Sequence, residues 1–155
     1  MTKFLLAVHV LAAIVAVGPV TVAASMFPPA ARKALAEPRD DQARSTVRLL
    51  YRICRVYATV GVVVPVFGFA TASAMGVLGD TWLIVSIALT ALAAVVLAAL
   101  VLPRQTAIVE GIWQDTAVVG PRATVRLAMF TGVFNLLWAA VTILMIVRPG
   151  STTGA

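Results

Sequence analysis

Hydrophobic positions gather into four runs that contain no Asp, Glu, Lys or Arg: Phe4–Phe27, Val56–Leu78, Trp82–Leu102 and Leu127–Val147. A helix rises about 1.5 Å per residue, so roughly 20 apolar residues cross a hydrocarbon core of about 30 Å, and each run is long enough. In lipid only helices and closed barrels satisfy their own backbone, and these runs lack the alternation of barrel strands. The pattern predicts an all-α integral membrane protein: a bundle of four transmembrane helices forming one domain over residues 1–155.

The polar positions between the runs are distributed unevenly. Arg32, Lys33, Arg39, Arg44, Arg48, Arg52 and Arg55 lie between the first two runs, and Arg104, Arg122 and Arg126 between the last two. The other side holds Lys3 and Arg148. Short basic loops stay in the cytoplasm, which predicts cytoplasmic loops at 28–55 and 103–126, both termini outside, and an outside turn at Gly79–Thr81. A rival reading makes the first run a secretory signal, with Lys3 before it and small residues Val22, Ala23, Ala24 and Ser25 at its end. The run is longer than a signal core, and cleavage would export seven basic residues, so we keep it as the first helix.

Composition narrows the possible chemistry. The 155 residues are 61% hydrophobic and 12% charged, with a mean hydropathy of +1.02, whereas soluble domains average about 25% charged residues. A water-soluble domain is excluded. One His, one Cys and six carboxylates supply few catalytic or metal constellations, and Cys54 alone forms no intrachain disulfide, CxxC pair or zinc site. The expectation is a protein without catalytic residues, metal or cofactor of its own.

The first polar segment is more than a connector. Asp40 is a candidate N-cap, Asp41 favours the helix dipole, and Arg44, Arg48, Arg52 and Arg55 follow at helical spacing, with Val47, Leu50, Tyr51 and Cys54 on another face. The second helix is therefore expected to extend beyond the membrane, its arginines near anionic headgroups such as cardiolipin; charges so close to a membrane do not point to nucleic acid. In the third polar segment Ile108, Ile112 and Trp113 beside Glu110, Gln114 and Asp115 suit a short helix lying in the interface. Trp82 and Trp113 fall at opposite membrane faces, as an aromatic belt requires.

Membrane helices associate through small residues and polar side chains that find partners. Gly68, Ala72 and Gly76 recur every fourth residue on the second helix, as do Ser86, Thr90, Ala94 and Ala98 on the third. On the fourth, Thr131, Asn135 and Thr142 share a face, and the Asn135 amide needs a partner. Pro19 and Pro65, near Gly18 and Gly61, should kink the first two helices. Broken helices also occur in small transporters, a further alternative, although no acidic residue lies within a run to couple an ion.

His9 sits within the first run, where an imidazole could serve as an axial ligand to haem or a ligand to copper, or could simply bond to a carbonyl. The stretch Lys3-Phe4-Leu5-Leu6-Ala7-Val8-His9-Val10-Leu11-Ala12-Ala13-Ile14-Val15-Ala16-Val17-Gly18-Pro19, followed by a basic segment, resembles a family of four-helix bacterial integral membrane proteins of unknown function. It also looks like the first helix of copper-resistance membrane proteins and of a haem-associated membrane oxidase family, which implies haem or copper at His9. The Ala-, Val- and Arg-rich, Lys-poor composition looks like that of a GC-rich bacterium, and the layout is similar to small accessory subunits of the actinobacterial cytochrome bcc-aa3 respiratory supercomplex. That likeness implies a non-catalytic subunit of a bacterial plasma membrane respiratory assembly, with the larger complex and anionic phospholipid as partners.

Overall fold

The computed structural model describes residues 1–114 and 120–150, and these form four long helices. They are α1 (Thr2–Ala36), α2 (Asp41–Met75), α3 (Thr81–Trp113) and α4 (Pro121–Val147), each long and apolar enough to cross a membrane. The protein is an all-helical, multi-pass membrane protein, and no strand occurs among the described residues. Asp115 and residues 151–155 lie outside the described residues.

Up-and-down order puts the basic segments at one end, here the basic end, and the Gly76–Asp80 turn at the other, the turn end. At the basic end, the Asp40 carboxylate accepts hydrogen bonds from the Gln42 and Ala43 amides at 2.9 and 3.0 Å, so the expected N-cap forms. At the turn end, α2 stops at Gly76, whose φ of 70° is left-handed. The Gly76 amide bonds to Ser73 O and the Val77 amide to Ala72 O, a two-bond cap that satisfies the last carbonyls of α2.

All four helices run further than the apolar runs. α1 continues through Pro28 and Pro29 to Ala36, because Phe27, Pro28, Ala31 and Ala34 are buried, and that burial offsets the hydrogen bonds two prolines remove. α2 is interrupted at Gly61: Pro65 has no N–H to offer the Gly61 carbonyl, and the Val64 amide takes it instead at 3.1 Å. α3 passes Pro103 by widening into a π-helical segment over Val96–Val101, where the Leu102 amide reaches back to Leu97 O. The wider turn makes room for the proline ring.

This last feature alters one expectation. Residues Leu102–Trp113 form no separate interfacial helix but continue α3, and they bury Gln105, Ile108 and Ile112 against the bundle. The apolar pair that suited a membrane surface instead packs with Val47, Leu50 and Cys54 of α2 in one large core cluster, joined by Phe27, Ala31, Leu127 and Phe134.

α1 packs along both halves of α2 and against α4, while α3 packs mainly against α4. α2 and α3 meet closely at the basic end. Near the turn Ala72, Trp82 and Leu83 form a second, smaller cluster with Val77 and Met145. Large apolar side chains are exposed on all four helices, among them Leu11, Phe69, Ile84 and Leu136. Surface apolarity of that kind surrounds the molecule rather than marking one patch, as lipid contact requires.

Candidate functional site

His9 lies on α1 opposite the Val64–Gly68 turn of α2, half-buried, with its Nδ1 3.0 Å from Val64 O. A carbonyl only accepts, so Nδ1 is the donor in this bond and Nε2 is the ring nitrogen left for another partner. A Cβ at Gly68 would lie 2.9 Å from His9 Cε1. Gly68 is therefore the floor on which the imidazole rests, which gives this predicted packing position a specific partner. No group of three metal-ligating side chains occurs among the described residues.

The remaining small positions divide into inward and outward sets. Ala72 and Ser86 are buried, and Thr90 is half-buried with its hydroxyl donating to Ser86 O at 2.7 Å. Gly76, Ala94 and Ala98 face outward. The cause is geometric: at 3.6 residues per turn each four-residue step advances about 40°, so a stripe that begins inside at Ser86 has left the interior by Ala98. The buried face of α3 instead follows Trp82, Ser86, Ala93, Val96 and Val101.

Asn135 finds the partner its amide needs. Its Nδ2 donates to Ser25 Oγ at 3.0 Å, and Ser25 Oγ donates in turn to Thr21 O at 2.7 Å, which ties α4 to α1. Asn135 Oδ1 and the neighbouring Thr131 hydroxyl are buried without a partner among the described residues. Thr142 donates to Trp138 O of its own helix.

At the basic end the four predicted arginines take different roles. Arg44 points into the bundle: its guanidinium donates to Pro38 O and Ile112 O, both at 3.2 Å, and stacks 4.9 Å from the centre of the Trp113 ring. It thereby joins the α1–α2 connection to the C-terminal end of α3, where the helix dipole favours a cation. Arg48 lies over the same ring at 5.6 Å. Arg48, Arg52 and Arg55 are exposed and, with Tyr51 and Val56, line a shallow hollow.

Behind that hollow runs a directed chain of hydrogen bonds. Thr106 Oγ1 donates to Leu102 O at 3.0 Å, so the Tyr51 hydroxyl must donate to Thr106 Oγ1, also at 3.0 Å, and accept from Arg55 Nη1 at 3.2 Å. One edge of the Arg55 guanidinium is held in this way while its other donors remain outward. Sequence reasoning did not find Thr106 or Gln105, whose Nε2 approaches Cys54 Sγ at 3.5 Å. Both fell in a segment read as a loop, and only the continuous α3 brings them to α2.

At the turn end, Trp82 is buried, its indole N–H bonded to Asp80 Oδ2 at 3.0 Å and its ring 5.6 Å from the Arg148 guanidinium. Trp82 and Trp113 thus occupy opposite ends of α3. Among the described residues the ion pair joins Lys33 to Asp40 at 3.8 Å. The Ala43 amide does most to hold the Asp40 carboxyl below its ordinary range; desolvation, the next largest effect, opposes it, and the Gln42 amide and the charge of Lys33 add to the lowering. No family model, curated protein or solved structure matches this chain.

Proposed function

We propose that this protein is a non-catalytic accessory subunit of a larger membrane assembly, a respiratory oxidase or supercomplex, in a bacterial plasma membrane with the basic end in the cytoplasm. The observation that carries this reading is the outward placement of Ala91, Ala94 and Ala98 on α3. Small side chains let a second helix approach closely, and in lipid such packing is a main source of helix association. Within this bundle the same helix uses Ser86, Ala93 and Val96 for its own contacts, so the alanine ridge is left for another chain. The layout resemblance to small supercomplex subunits supplies the class of partner. The basic end lies inward by the distribution of Lys and Arg.

Purification through a C-terminal tag in gentle detergent, with mass spectrometry and an absorption spectrum, tests this. Stoichiometric respiratory subunits that are lost on Ala94→Leu with Ala98→Leu are expected. A chain that elutes alone overturns the proposal. Sidedness is tested separately by labelling single cysteines at Gly79 and Ala36 in intact cells, where Gly79 should react and Ala36 should not.

One observation favours a second reading. His9 donates Nδ1–H to a carbonyl, the bond that orients the ring of a metal-bound histidine, and this leaves Nε2 as the group that would hold haem iron or copper. A Soret band or bound metal that disappears with His9→Ala in the isolated protein is the signature of that reading.

A further inference from the structure

Arg48, Arg52 and Arg55 share one hollow with Tyr51 and Val56, and the hollow stands where α2 passes from polar to apolar sequence. We infer that it is a binding site for the phosphate headgroup of an anionic phospholipid, whose chains run along α2 from Val56. The inference is independent of which assembly the protein joins.

Charge is the first support. Three cations line one hollow, and none of them has a carboxylate within ion-pair distance among the described residues. Guanidinium presents forked donors that match phosphate oxygens, which a more strongly hydrated ammonium does less well. Preorganisation is the second. Arg55 is fixed by Tyr51, which is fixed by Thr106, and Arg48 rests on the Trp113 ring. Two of the three guanidinium groups are therefore positioned before any ligand arrives, and less side-chain freedom is lost on binding.

Position decides between a lipid and a free anion. Val56 lines the hollow, and the large apolar side chains exposed further along α2 include Val60, Val62, Val63 and Val66. An anion with acyl chains continues onto that surface, whereas inorganic phosphate leaves it unused. Arg44 shows the contrast: one donor on each terminal nitrogen goes to Pro38 O and Ile112 O, and it stands beside the hollow rather than lining it.

The test is native mass spectrometry of the full chain in neutral detergent with equimolar phosphatidylglycerol and phosphatidylcholine. Phosphatidylglycerol should be retained at least about tenfold over phosphatidylcholine, and Arg52→Gln with Arg55→Gln should lower its retention by about tenfold. Arg32→Gln with Arg39→Gln removes equal charge from the same end and should change retention by less than about twofold. Equal losses from both pairs would reduce the effect to general surface charge and overturn the site. Equal retention of the two lipids by the unaltered chain overturns it without relying on a variant. Displacement of the lipid by millimolar inorganic phosphate would assign the hollow to a free anion and overturn the lipid reading.

Discussion

The two ends of the bundle are packed differently. At the basic end, α1, α2, α3 and α4 converge on one cluster in which Phe27, Val47, Cys54, Ile108 and Leu127 are almost wholly inaccessible. Toward the turn end, α2 rests chiefly on α1, and its side chains Val63, Val66 and Phe69 face outward. In water such exposure would be a defect. In lipid it costs little, because hydrocarbon replaces hydrocarbon, and specificity there comes from close contacts such as His9 on Gly68. Basic-end stability is thus set by side-chain interdigitation, and turn-end stability by a few polar or steric contacts.

The sharpest way to break this comparison is to truncate one aromatic residue at each end. Phe27→Ala should lower unfolding stability in mixed detergent by about 3–5 kcal/mol, because a buried ring leaves a cavity. Phe69→Ala, at 56% exposure, should cost less than about 0.5 kcal/mol. Equal losses in a denaturant titration would show that the ends are packed alike.

Gly68→Ala is the next largest effect. The new methyl would come 2.9 Å from His9 Cε1, and we expect a loss of about 1–3 kcal/mol. Adding His9→Ala removes the clash, so the double variant should recover by more than about 0.5 kcal/mol relative to additivity. Additive losses in the same titration would place the imidazole elsewhere.

Asn135→Leu should change stability by less than about 1 kcal/mol, since the lost bond to Ser25 is offset by removing a buried, unpartnered carbonyl oxygen. A larger loss would mean that the polar seam between α1 and α4 is better satisfied than its hydrogen bonds indicate.

The smallest effect concerns Asp40. Its folded pKa lies below the ordinary value of 3.8, so the contribution of its ionised cap is present above that value and is lost as pH falls through the lowered one. Melting followed by circular dichroism should show this acid step, of a few degrees at most, in the unaltered chain and not in Asp40→Ala. Its persistence in the variant would assign it to another carboxylate.

How much of this was legible beforehand follows from which signals survive in one dimension. Four charge-free runs of membrane length fixed the helices, and Asp40 ahead of regularly spaced arginines marked the start of α2, because both patterns depend on local geometry. The third apolar run ends at Leu102, just ahead of Pro103 and Arg104, and nothing in these neighbours announces the π segment that carries α3 past them. That misplaced boundary hid Gln105 and Thr106. The division of the small-residue stripe into inward and outward parts was hidden too, since it depends on where the third helix faces its neighbours. Likewise, the arginines share one sequence spacing, and only the folded chain separates Arg44, bonded inward, from the three around the hollow.

The central claim is that the alanine ridge of α3 meets another protein. The most direct measurement places a photo-crosslinking residue at Ala94 in native membranes, with Phe69 as the lipid-facing control, and identifies adducts by mass spectrometry. The account predicts an adduct to a second membrane protein from Ala94 and none from Phe69. Lipid adducts alone from both positions would contradict it.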